Sequence, residues 1–180
     1  MKIGLLISIR EKSQRFPGKV LKEIKGQTVT EHLIDRLNTA SGFDKLIIAT
    51  SDDPRDKVFG KIAEVKNTDI YFGDQEDKLL RYLQIVNYYA LDAVVIVDGD
   101  DILCFPEIVT HTCHRLKEKK YEVVFWKNLP LGAACSGLTK SALSKKKTIC
   151  SANKRSMSLI LFKQSFMVNT KDKNINGALA

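Results

Sequence analysis

Apolar residues in this chain gather in short unbroken runs instead of alternating with polar ones. KIGLLISI (residues 2–9) is the first, and KLIIAT (45–50), DIYFG (69–73), AVVIV (93–97) and EVVFW (122–126) follow. Runs of that length without alternation predict strands buried on both faces, the habit of a parallel sheet covered by helices. Between the runs the spacing changes to that of helices. Val29, Leu33 and Leu37 mark one face over about 29–40, and Leu79, Leu83, Val86 and Ala90 mark another over about 77–91. Asp77 suits the first turn of the latter, where its charge opposes the helix dipole. Pro54 and Pro106 stand where helices over 54–65 and 106–119 would begin, positions that tolerate proline. Strand and helix therefore alternate, which predicts an α/β fold with a largely parallel sheet.

Length and charge refine this picture. A chain of 180 residues, 44% hydrophobic, has material for one substantial core and is short for two. The net charge of +8 is not spread evenly: residues 1–140 hold 21 Lys and Arg against 20 acids, whereas residues 141–180 hold 8 against Asp172 alone. The basicity belongs to the last forty residues. Such a tail attracts polyanions, but lysines of this kind are ordinarily just solvated, and a nucleic-acid partner is not expected. Cys104, Cys113, Cys135 and Cys150 form no Cys-x-x-Cys pair, which favours reduced thiols in the cytoplasm. The first apolar run is too short for a signal sequence and is broken by Arg10-Glu11-Lys12; no run is long enough to span a bilayer.

In folds of this class, ligands collect at the carboxyl ends of the strands. Two segments there carry candidate chemistry. REKSQRFPGK (10–19) follows the first strand and supplies Arg10 and Arg15 to fork around phosphate oxygens, Lys19 as a compact ammonium, Gly18 for close backbone approach and Pro17 to stiffen the turn. It is not a Walker A loop, because Ser13 stands at the first glycine position and Val20 follows the lysine; nor does it hold the three glycines of a dinucleotide fingerprint. VDGDD (97–101) ends the fourth run. Asp98 and Asp100 would share a face of an extended strand, with Gly99 leaving room for a ligand, and hard oxygen donors of this kind suit Mg²⁺. Each segment alone reads equally as a charged surface turn. Together they offer cations and carboxylates to opposite sides of a metal-bound triphosphate.

Arg10, Ser13, Arg15, Pro17, Gly18 and Lys19 also fill every fixed position of the signature Arg-x-x-Ser-x-Arg-x-Pro-Gly-Lys. The loop thereby resembles the cytidylyltransferases that activate acidic sugars and their spore-coat polysaccharide relatives. KVLKEIKGQTVTEHLIDRL (19–37), ATSDD (49–53), YFGDQEDKLLRY (71–82) and GDD (99–101) are similar to further segments of that family. The resemblance implies a Rossmann-like three-layer sandwich of the nucleotidyltransferase type, transfer of CMP from CTP to a sugar hydroxyl with release of pyrophosphate, dependence on Mg²⁺, and a homodimer. It places Arg10 and Lys19 on the triphosphate, Asp100 on the metal with Asp98 beside it, Asp77 and Arg81 near the nucleotide or sugar, and the backbone around Ser8 and Ile9 at the cytosine.

The pattern departs from the family in three places. Ile102-Leu103 stands where relatives have Pro-Leu, and Ala134 and Ser136 stand where many have acids. From residue 144 onward nothing is recognisable, so residues 1–143 read as the nucleotidyltransferase-like domain and 144–180 as an unassigned basic segment of a shortened or altered copy. A half-built metal site leaves open a catalytically inactive nucleotide-binding or scaffold homologue, and Asp98-Gly99-Asp100 also fits the Asp-x-Asp motif of nucleotide-sugar glycosyltransferases. Among the remaining residues, His111, Cys113 and His114 read as ordinary helix residues, Trp126 as core or pocket wall, and Tyr88 and Tyr89 as packed on the sheet.

Overall fold

The computed structural model describes residues 1–11, 16 and 18–145, and the backbone of 165–169. In chain order the elements are β1 (Ile3–Ser8), β2 (Glu23–Ile24), β3 (Gln27–Thr28), α1 (Val29–Leu37), β4 (Lys45–Ser51), α2 (Val58–Val65), β5 (Asp69–Gly73), α3 (Lys78–Tyr88), β6 (Ala93–Asp98), α4 (Pro106–Lys117), β7 (Val123–Lys127), β8 (Ser136–Thr139) and β9 (Ser165–Asn169). Seven strands form one sheet in the order β5-β4-β1-β6-β8-β7-β9. β8 runs antiparallel to both neighbours, and every other adjacent pair is parallel.

All six residues of β1 are buried, and their side chains divide between two cores. Ile3, Leu5 and Ile7 pack with Leu33 and Leu37 of α1, Phe59 of α2 and Ile108 of α4. Leu6 faces the other way, among Leu79, Tyr82, Ile85 and Val86 of α3. Helices thus cover both faces, and the unbroken apolar run is the sequence record of that double burial. At about 1.5–3 kcal/mol for each large side chain taken out of water, this central strand contributes more than its length suggests.

The five strands predicted from apolar runs are all present. Four others left no such signal. β8 has four residues, one of them Gly137, too few for a period to show. The β2–β3 hairpin is built on Lys25 (φ 50) and Gly26 (φ 82), a left-handed pair that suits a two-residue hairpin turn. β9 pairs in parallel with β7, so the sheet takes in a strand from beyond residue 143. The expected helix over 54–65 is instead a 3-10 turn, Pro54–Lys57, leading into α2. Tyr88 is 72% exposed and meets the sheet through the Tyr71 ring of β5, with centroids 5.5 Å apart, and the Tyr89 ring beside it.

α1 begins with a capping box, in which Thr28 Oγ1 accepts from the Glu31 N–H (3.2 Å) while Glu31 Oε2 accepts from the Thr28 N–H (2.7 Å). The Thr28 N–H, and after it the Thr28 hydroxyl, donate to the Glu31 carboxyl and hold it below its usual pKa. Thr28→Ala removes the cap and should cost about 1 kcal/mol of stability, read as a lowered midpoint in urea unfolding; an unchanged midpoint would show that the box carries no weight here.

Candidate active site

Parallel pairing puts the ends of β1 and β6 side by side, with Ser8 opposite Asp98. The Gly99 N–H donates to the Ser8 carbonyl (2.8 Å), and the Asp101 N–H donates to the Asp98 carbonyl (2.9 Å), so the aspartate segment leaves the strand as a turn. The space expected beside Gly99 for a ligand is filled from within the protein: a Cβ at that position would meet Ile9 Cγ1 at 2.7 Å. Glycine is required because the Ile9 side chain lies against it. Ile9 is 2% exposed, and its N–H donates to the Ala49 carbonyl (3.2 Å). These described groups of Ser8 and Ile9 serve the sheet end.

Gly18 adopts the left-handed conformation (φ 67, ψ 11) and opens the 3-10 turn Lys19–Leu21, which turns Lys19 back toward the sheet. Its ammonium forms an ion pair with Asp100. The two sequence segments therefore meet, one residue from each. A second lysine, Lys78, donates to Asp98 Oδ1 at 2.7 Å. Burial works against the Lys78 charge, but Tyr82 and Asp98 outweigh it and hold its pKa above the usual value. Ser13, Arg15 and Pro17 lie outside the described residues.

Three carboxylates within four residues press on one another. Burial, then Asp98 and Asp100, push Asp101 up to about 6. Crowding of this kind is relieved by a divalent cation. Among the described residues no group of three His, Cys, Asp or Glu side chains is disposed to hold a metal; Asp98 and Asp100 supply the one or two carboxylates that Mg²⁺ accepts where phosphate oxygens and water complete its shell. His111, Cys113 and His114 form no such group either.

The loop before α3 is braced by arginines. Arg81 is 1% exposed and directs Nε and Nη2 to the Asp74 carbonyl (2.9 and 2.7 Å), with Nη2 also reaching the Gln75 carbonyl (3.3 Å). Arg10 donates to that same Gln75 carbonyl at 2.5 Å. Expected near the nucleotide or sugar, Arg81 is an interior anchor of the Asp74–Gln75 backbone. Asp77 is the N-cap of α3, accepting from the Leu80 N–H at 2.8 Å. Burial, then the Arg10 charge, lower the Arg81 pKa.

Sequence reasoning missed four residues of this edge. Asp56, 1% exposed, accepts from the Glu11 N–H (2.8 Å) and from both Ser51 donors, tying the root of the cationic loop to β4. Tyr82 donates to Ser8 Oγ (2.7 Å) beneath the site. Lys78 and Asp101 complete the set. A cleft of about 420 Å³ adjoins the aspartate turn, lined by Lys78, Asp98 and Asp101 and by Phe125, Trp126 and Leu129 among its apolar residues. Trp126 is thus both core and pocket wall, its Nε1–H donating to Thr112 Oγ1 at 2.8 Å. Ala134 and Ser136 also line the cleft.

This arrangement has counterparts. The sequence model of the cytidylyltransferase family matches residues 5–173. The chain belongs to the cytidylyltransferase family. The match runs thirty residues past the point where the resemblance was expected to end, in keeping with the placement of β9 in the sheet. An uncharacterized protein of Methanocaldococcus jannaschii is 28% identical over 145 residues, covering 81% of this chain and 60% of that one. The 3-deoxy-manno-octulosonate cytidylyltransferase of Pelobacter propionicus is 33% identical over 112 residues, 61% of this chain and 42% of that one. The chain spans about half the length of the curated relatives it matches. In fold it is similar to a CMP:2-keto-3-deoxy-manno-octonic acid synthetase solved with CTP, with a TM-score of 0.72 at 15% identity over 94% of this chain and 90% of that one. The Rossmann-like nucleotidyltransferase sandwich is therefore the fold. No helix among the described residues is long and apolar enough to cross a membrane.

Asp101 supplies a pH test of the crowding. The unfolded chain ionises this group near pH 4 and the folded chain near 6, so the fold loses stability as pH rises through that window. Asp101→Asn lacks the penalty. Its gain over the wild type should be nil at pH 4 and, discounted to about 1 kcal/mol for a half-exposed group, about 2 °C in Tm above pH 7. A gain that does not depend on pH would show that ionisation is not its source.

Proposed function

We propose that the chain transfers CMP from CTP to a hydroxyl of an acidic sugar, releasing pyrophosphate, in the synthesis of a surface polysaccharide. The observation that carries this reading is the contact between Lys19 and Asp100: the cationic loop and the aspartate turn reach one another, and a molecule grasped by one lies within reach of the other. The family match and the acidic-sugar cytidylyltransferases among the relatives support the substrate class.

In this reaction a sugar oxygen attacks the α-phosphorus of CTP, the bond from that phosphorus to the bridging oxygen breaks, pyrophosphate departs and the hydroxyl proton is lost to water. Negative charge grows on the α-phosphate and the leaving group. Arg10 and Lys19 stabilise it, exchanging their present carbonyl and carboxylate partners for phosphate oxygens. The exchange is cheap, because the Lys19–Asp100 pair is partly exposed and pairs of that kind are worth about 0–1 kcal/mol. Mg²⁺ held by Asp98 and Asp100 would neutralise phosphate charge when bound. Asp77, Arg81, Ser8 and Ile9 support this edge through the loop and sheet end they fix. We place the protein in the cytoplasm, where CTP is available, and as a homodimer in keeping with its family.

The experiment is CTP-dependent pyrophosphate release with a panel of sugar acids, with ATP and GTP as controls. Turnover with CTP is expected; neither turnover nor CTP binding would remove the proposal. A thermal shift with CTP and no product would mark an inactive nucleotide-binding homologue instead. In the active protein, Lys19→Ala should lower kcat at least about 100-fold, the cost of deleting one donor to a developing oxyanion. Near-normal turnover would take this lysine out of the mechanism.

A further inference from the structure

Two lysines reach the aspartate turn: Lys19 of the cationic loop pairs with Asp100, and Lys78 pairs with Asp98. The described residues of the loop do not line the 420 Å³ cleft, whereas Lys78, Asp98 and Asp101 do. Among its lining residues, Lys78 is the one cation. Phe125, Trp126, Leu129, Pro130 and Leu131 supply apolar lining.

The absence of the described loop residues from its lining decides which substrate this cleft serves. Displacement at phosphorus is in line, so the attacking oxygen and the departing pyrophosphate lie on opposite sides of the α-phosphate. If the loop holds the leaving group, the acceptor enters from the cleft. In a cleft whose one cation, Lys78, stands with the Asp98 and Asp101 carboxylates among otherwise largely apolar residues, acceptors are told apart by charge: a neutral acceptor leaves that ammonium with its present partner, whereas an acceptor bearing a carboxylate offers it a new one. Release from Asp98 costs little, since the two side chains are 32% and 55% exposed. The ammonium also has a second support, lying 5.9 Å from the Tyr82 ring centroid, and Tyr82 is fixed from behind by Ser8.

We propose that Lys78 is the specificity-determining residue of the acceptor site, binding the carboxylate of the sugar and leaving the nucleotide to the loop. This rests on the cytidyl-transfer reading above and adds to it which atom group of the acceptor is recognised and by which residue. The segment around it was legible as Asp-x-Leu-x-Arg, with Lys78 at an unconstrained position, and nothing in that pattern assigns it a role.

The test compares the sugar acid that the wild type turns over best with its methyl ester, which keeps the shape and removes the charge. The wild type should favour the acid in kcat/KM by at least about tenfold, the lower range for a hydrogen bond to a charged group. Lys78→Met should bring that ratio close to one by raising KM for the acid; Lys78→Arg should restore most of the preference. A merely structural lysine would lower acid and ester alike and leave the ratio intact. Turnover by the wild type with an undiminished ratio in Lys78→Met, or with no preference for the acid at all, overturns the role of Lys78 and leaves cytidyl transfer standing. Absence of turnover and of CTP binding in the wild type overturns both.

Discussion

Parallel pairing between β1 and β6 is the constraint on which the site depends. The register from Ile3 opposite Ala93 to Ser8 opposite Asp98 obliges two segments, ninety residues apart in the chain, to leave the sheet at the same edge. β1 is buried on both faces, so a slip of one residue would turn its whole apolar set to the wrong cores. The hydrophobic cost of that slip protects the meeting of Lys19 and Asp100 more firmly than their own ion pair does. Charge assembles the site only after apolar packing has brought its parts together.

Around that edge the polar network divides its labour. Arg81, Asp77, Asp56 and Tyr82 are occupied with holding backbone or neighbouring side chains, whereas Arg10, Lys19 and Lys78 stand in contacts that are exposed and exchangeable. A buried polar group left unpaired costs about 1–3 kcal/mol, so the interior members keep their partners when substrate arrives. The exposed lysines have no such obligation. This asymmetry separates groups that shape the site from groups that can bind within it.

Much of the fold was legible because its strands lie in a doubly covered sheet and write themselves as apolar runs. The paired segments at the edge were legible for a similar reason: phosphate and metal chemistry needs unusual local charge. What could not be read was set by tertiary contact. Whether Arg81 faced a ligand or a carbonyl depended on the path of the chain at Asp74, and the room at Gly99 depended on where Ile9 pointed. Lys78 looked like any first-turn lysine, and only the cleft gave it meaning. β8 was too short and glycine-containing to show a period, although Lys25-Gly26 could have signalled the small hairpin.

The close seating of Ile9 against Gly99 fixes how the two halves of this edge can vary. The gap between the first and fourth parallel strands at this level is just wide enough for a hydrogen on one chain and a branched hydrocarbon on the other. Lengthening or recharging the flanking loops leaves that gauge untouched, but any methyl added at 99 would wedge the carboxylate tip away from its cationic counterpart. The approach of the two strand ends at this level is set by that one contact.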